Sequence, residues 1–138
     1  MEREARCLCG ALGLRTRGEP KLVLACNCRN CQRRTGSVFG VGAYFDLADV
    51  IERTGKPRQF AITGDSGQKV VSHFCPDCGS TLFVETAMFK GMIGVPIGGF
   101  TEPDFPEPTM SVWNRSKYQW VQFPEHWHKI QAQTPDAS

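Results

Sequence analysis

Cys26-Asn27-Cys28-Arg29-Asn30-Cys31 sets three thiols inside six residues, a density of sulfur that neither an apolar core nor a disulfide pattern requires. A disulfide within Cys-x-Cys would be badly strained, and the seven cysteines of the chain cannot all pair internally. Metal thiolate is the better account, with zinc the ion that suits clustered cysteine sulfur. Outward from this stretch, Cys7-Leu8-Cys9 lies near the start and Cys75-Pro76-Asp77-Cys78-Gly79 past the middle. Three clusters then use every cysteine.

The last of these has the form of a zinc knuckle. Cys-x-x-Cys bends round an ion, and the glycine after the second cysteine lets backbone N–H groups approach the sulfur. A thioredoxin-type redox pair would need a helix starting at the first cysteine, whereas Cys78-Gly79-Ser80 runs into a strand-like segment. A knuckle supplies two thiolates and needs two more, from Cys7 and Cys9 or from the Cys26 cluster. Structural zinc takes four protein ligands and catalytic zinc keeps one position open. A four-plus-three division therefore gives a closed site of Cys7, Cys9, Cys75 and Cys78 and an open one of Cys26, Cys28 and Cys31. A fourth ligand from His73, Asp46 or a histidine of the tail would make the second site structural too, and spacing alone leaves that alternative standing.

The 138 residues, 41% hydrophobic and 22% charged, describe one soluble globular domain with a core of its own. We expect it to span residues 1–132, with a disordered tail over 133–138. A net charge of +2 with scattered Lys and Arg names neither nucleic acid nor an anionic membrane as partner. No apolar run reaches signal-peptide or membrane-helix length. Reduced thiols favour the cytoplasm.

Local patterning predicts many short strands. Residues 11–17 and 21–25 flank the Gly18-Glu19-Pro20 turn, and 38–45, 50–53, 58–63, 69–74, 81–85, 88–95, 110–114 and 118–123 follow. Gly64-Asp65-Ser66-Gly67 is a hairpin signal. Residues 29–35 predict one short helical turn, 96–108 an extended loop, and 126–133 a frayed helix. The fold class is mainly β and mostly antiparallel.

Cys7-Leu8-Cys9-Gly10-Ala11, Cys26 through Arg33 with Gly36-Ser37, and His73 through Ser80 together resemble the glutathione-dependent formaldehyde-activating enzyme (GFA) family, which includes centromere protein V. The likeness covers about residues 5–123 and includes Ser111-Val112-Trp113 and Ser116 through Val121, with Gln119 where the family usually has proline. The resemblance implies an antiparallel β-tent built around a structural zinc on the first and third clusters. It also implies a second zinc on the middle three cysteines, and condensation of glutathione with formaldehyde to S-hydroxymethylglutathione, a carbon-sulfur lyase reaction.

The chemistry stands beside that resemblance. Three thiolates make zinc less electrophilic than three histidines would, and such a site suits thiol binding. A substrate thiol in the fourth position would lose its proton and face a small aldehyde carbon. Cys26, Cys28 and Cys31 are thus the candidate catalytic set, and the three-thiolate ion is the more easily lost of the two. With zinc the site carries a charge of about −1, so Arg29, Arg33 and Arg34 are candidates to balance it or hold a substrate carboxylate. Lys117 and Trp120 are further substrate-binding candidates, His73 a possible base, and Trp113 a packing residue. The expected partners are a small thiol, glutathione among them, and a small aldehyde. Competing readings are a non-catalytic zinc scaffold and a chromatin-type module, for which a basic cluster would be needed.

Overall fold

The computed structural model describes residues 1–64 and 66–133. The expected tail beyond Gln133 and Asp65 of the expected hairpin lie outside the described residues. The chain is mainly β and divides into two compact units, one formed by Met1–Lys21 with Ala43–Phe105, the other by Leu22–Gly42 with the segment from Pro106 onward.

The first unit holds a three-stranded antiparallel sheet of β1 (Glu2–Arg6), β2 (Gly13–Arg17) and a later strand, Val50–Thr54. Strand β1 falls outside the sequence expectation, because Glu-Arg-Glu-Ala-Arg shows no apolar alternation. It alternates nonetheless: Arg3 and Ala5 are buried between more exposed neighbours. Arg3 packs its stem inward, its guanidinium 4.9 Å from the centre of the Phe105 ring and 3.3 Å from Glu19. A long charged side chain can thus fill a core position.

Numbering continues through the second unit's β3 (Leu22–Cys26), then β4 (Gly40–Asp46) and β5, the Val50–Thr54 strand already met. The rest of the first unit is β6 (Arg58–Thr63), β7 (Lys69–Phe74), β8 (Thr81–Thr86) and β9 (Met92–Pro96). Here the sheet order runs β4, β9, β8, β7, β6. The β6–β7 hairpin keeps register from Arg58 opposite Phe74 to Thr63 opposite Lys69. The expected strand over 88–95 begins late: Thr86 Oγ1 accepts from the Met88 N–H and turns Ala87–Phe89 into a 3-10 helix. Leu12, Leu14, Phe45, Phe83, Ile93 and Val95 form the core.

The second unit joins β3 and helix α1 (Arg29–Thr35) to β10 (Met110–Val112) and β11 (His128–Lys129). Strand β10 lies between β3 and β11 and runs parallel to both, Ser111 facing Ala25 and Lys129. These parallel pairs depart from the otherwise antiparallel pattern. Two expectations fail here. Residues 126–133 are not helical, because His128 and Ile130 donate to Thr109 and Ser111 carbonyls. Residues 118–123 are not a strand, because the Val121 N–H turns back onto the Tyr118 carbonyl. Trp113 takes a left-handed backbone (φ 55°) with its ring buried and Nε1 donating to Gln133 at 2.8 Å. Among the described residues no helix is long and apolar enough to cross a membrane.

Gly55 has φ +80°, and a Cβ there would lie 2.3 Å from the Ala11 carbonyl oxygen. Gly55→Ala should therefore lower unfolding free energy by about 2 kcal/mol or more, strain and clash adding. Gly98→Ala, with nothing within 4 Å and an ordinary φ, should change it by less than about 1 kcal/mol. Denaturant midpoints of the two variants check the contrast.

Candidate metal centres

Four thiols converge in the first unit. The Sγ atoms of Cys7, Cys9, Cys75 and Cys78 all lie within 4.8 Å of one another, with 3.8 Å between Cys7 and Cys9 and 3.6 Å between Cys9 and Cys75. Four sulfurs about 2.3 Å from a tetrahedral zinc would stand about 3.8 Å apart, so spacing and donor type both fit the ion. Two tight turns bring them together. As β1 ends, the Gly10 N–H bonds the Cys7 carbonyl, and the Leu12 N–H points at the Cys7 sulfur at 3.2 Å. The Gly79 N–H closes the second turn on the Cys75 carbonyl, and Cys75 bonds Ser80 across it. Just before that turn, the β7–β8 register shifts between His73 and Phe74, the kind of irregularity that re-aims the residues following it.

Their protons are unevenly held. The Ser80 hydroxyl and N–H, with the Cys9 N–H, bring Cys78 down to about 5. Burial pushes the Cys7 thiol up and Cys78 adds to it, but the Leu12 N–H with Cys9 and Cys75 outweighs both, and the net direction is down. At Cys9 the Ala11 N–H pulls down, yet Cys75, burial and Cys7 drive the thiol up to about 12.

Three thiols meet in the second unit, and their convergence is local. Strand β3 ends at Cys26, Cys28 caps α1 with its sulfur accepting the Cys31 N–H at 3.3 Å, and Cys31 occupies the first helical turn. Their Sγ atoms also lie within 4.8 Å of one another, and among the described residues no histidine, aspartate or glutamate joins them. Cys28 is held down at about 3 by hydrogen bonds from Cys26 and then Cys31. The bonds Cys26 makes to Cys28 and then to Cys31 push it upward, with burial adding to them. Cys31 is lowered by Cys26 but raised more by Cys28 and burial, to about 11, while the positive charge of Arg34 pulls the other way.

A polar brace holds this turn, and the sequence reading passed over it. Asn27, fully buried, bonds the Val112 carbonyl through both its N–H and its Nδ2. Its own carbonyl accepts from Gln32 Nε2 at 3.0 Å and Ser116 Oγ at 2.9 Å, and Gln32 Nε2 also reaches the Ser116 carbonyl. Nothing in the polar run Arg29–Thr35 marks Gln32 out; its role follows from its burial, since buried amides demand partners.

The remaining expected residues scatter. Arg29 donates to Gln32 Oε1 and Arg33 is exposed. Lys117 Nζ donates to the Val121 and Tyr118 carbonyls, while Trp120 is 70% exposed, edge-on to Tyr118. His73 is buried and stacked on Phe83, its Nε2 2.6 Å from Glu85 Oε1 but without hydrogen-bond alignment. His126 pairs with Glu107, which also accepts from Trp127.

No curated protein matches the chain. A crystal structure of a Rhodobacter sphaeroides protein superposes with a TM-score of 0.52 at 21% identity, over 72% of this chain and 91% of that one, which speaks for a shared fold alone. The family model described as glutathione-dependent formaldehyde-activating enzyme matches residues 2–116, a span that includes all seven cysteines. The chain therefore belongs to the GFA family.

Proposed function

We propose that this protein is a zinc-dependent carbon-sulfur lyase that joins a small aldehyde to a small thiol, formaldehyde and glutathione being the pair its family name suggests. The observation that carries this reading is the set of three converging sulfurs of Cys26, Cys28 and Cys31 with no fourth donor among the described residues. Cys7, Cys9, Cys75 and Cys78 would hold one ion as a closed structural site and Cys26, Cys28 and Cys31 a second. When bound at the second site, zinc supplies a Lewis acid that favours the deprotonated form of an entering thiol.

The chain's own groups prepare that position. The Cys31 N–H stabilises the Cys28 thiolate, and the Asn27, Gln32 and Ser116 bonds fix the turn that carries the sulfurs. In the forward reaction the thiol sulfur attacks the aldehyde carbon and a carbon-sulfur bond forms. The carbon-oxygen π pair moves to oxygen, which takes up the proton lost from the thiol. The product is an S-hydroxymethyl thioether, and reversal releases both partners. The family model runs through both compact units, which supports reading residues 1–132 as one functional domain. Seven cysteines grouped in clusters fit for metal, in a count that cannot pair throughout, support a reducing, cytoplasmic setting.

Structural zinc can contribute roughly 10 kcal/mol or more to folding, as much as a domain's whole net stability. Cys78→Ala should therefore abolish folded protein, while Cys31→Ala should lose one zinc per chain and keep a cooperative melt. Metal content and thermal melting distinguish the two, and equal unfolding of both variants would refute the closed and open assignment. Zinc-loaded protein should accelerate exchange between glutathione and formaldehyde in NMR exchange spectra, and Cys31→Ala should not. No acceleration with glutathione or other small thiols would favour a zinc scaffold instead.

A further inference from the structure

Three arginines sit on α1, and helical periodicity separates them. Residues three or four apart share a face, whereas residues two apart do not. Arg34 stands three positions beyond Cys31, and Arg29 and Arg33 stand two away on either side. Arg29 is engaged by Gln32, and Arg33 is exposed. Arg34 is half-buried and, among the described residues, no carboxylate pairs with it.

Its guanidinium has a prepared seat. A Cβ built on buried Gly40 would lie 3.2 Å from Arg34 Nη2, 3.4 Å from Thr35 Cγ2 and 3.7 Å from Cys31 Cβ. Arg34 and the Cys31 side chain therefore border the same small volume, which the missing side chain of Gly40 leaves to the guanidinium. Thr35 steadies this side of the helix by donating to the Cys31 carbonyl at 2.8 Å.

Charge indicates what the guanidinium is for. Three thiolates and a divalent ion sum to about −1, and an entering thiolate takes the site to about −2. A carboxylate on the same substrate would add to the repulsion unless a cation met it. A guanidinium with no carboxylate partner of its own presents a planar fork of donors that matches a substrate carboxylate. We propose that Arg34, seated against Gly40 beside Cys31, makes the three-cysteine site selective for acidic thiols by binding the substrate's carboxylate. This rests on the reading of Cys26, Cys28 and Cys31 as an open, thiol-binding metal site.

A matched pair of thiols tests it: 3-mercaptopropionate and its neutral counterpart 3-mercaptopropanol, titrated into cobalt-substituted protein and followed by sulfur-to-cobalt charge-transfer absorption. Wild type should bind the acid more tightly than the alcohol. Arg34→Gln should weaken the acid by about tenfold or more and the alcohol by less than about twofold, as loss of a charge-assisted bond requires. Arg34→Lys keeps the charge without the fork, secures the metal against any loss in Arg34→Gln, and should retain only part of the acid preference. Should either variant weaken both thiols equally, or neither, the role of Arg34 is overturned while the open site stands. If neither thiol perturbs the wild-type spectrum, the open-site reading fails and the Arg34 assignment with it.

Discussion

Sulfur atoms 3.6 to 3.8 Å apart cannot all be thiolates without a cation among them, and this electrostatic constraint governs the first unit. Cys9 and Cys75 are 66 positions apart in the chain, so whatever neutralises the four sulfurs also ties the end of β1 to the turn between β7 and β8. The backbone is already shaped for the charge. N–H groups point at Cys7 and Cys78, and the Ser80 hydroxyl lies 3.4 Å from the Cys78 sulfur. Hydrogen bonds of this kind to thiolates are the usual companions of a metal ligand set.

The second cluster obeys the same electrostatics on a different scale of chain. Its three sulfurs come from one strand end, one helix cap and one helical turn, so closing the ring costs little loop entropy. Long-range support comes from amide and hydroxyl groups instead, through Asn27, Gln32 and Ser116. One cluster thus organises distant chain, whereas the other is held in place by it. On the proposed function, that difference matches a fixed ion at the first cluster and an exchangeable one at the second.

Much of this was legible in the sequence because clustered cysteines mark where sulfurs converge, and glycine-rich turns mark strand ends. The partition of the seven thiols and the span of α1 were readable on those grounds. Strand β1 was not, since Arg3 fills a core position with its stem and rests on Phe105, which no apolar alternation reveals. Around Tyr118 and Trp120 the error ran the other way: alternating aromatics suggested a strand, yet both rings are exposed and the backbone turns. Strand β11 depends on carbonyls offered by Thr109 and Ser111, partners that local pattern does not announce. Arg34 could not be ranked above Arg29 and Arg33 until Gly40 was seen beside it.

The parallel insertion of β10 between β3 and β11 bears on the order in which the chain can assemble. Two pieces of the second unit, ending at Gly42 and resuming at Pro106, are separated by the body of the first unit. During synthesis the segment with Cys26, Cys28 and Cys31 leaves the ribosome long before the strand that will bond Asn27. Until Val112 emerges, the Asn27 N–H and Nδ2 have only water as partner. Such high contact order slows closure, and at ribosomal rates of about 5 to 20 residues per second the sulfur turn waits several seconds for its cover.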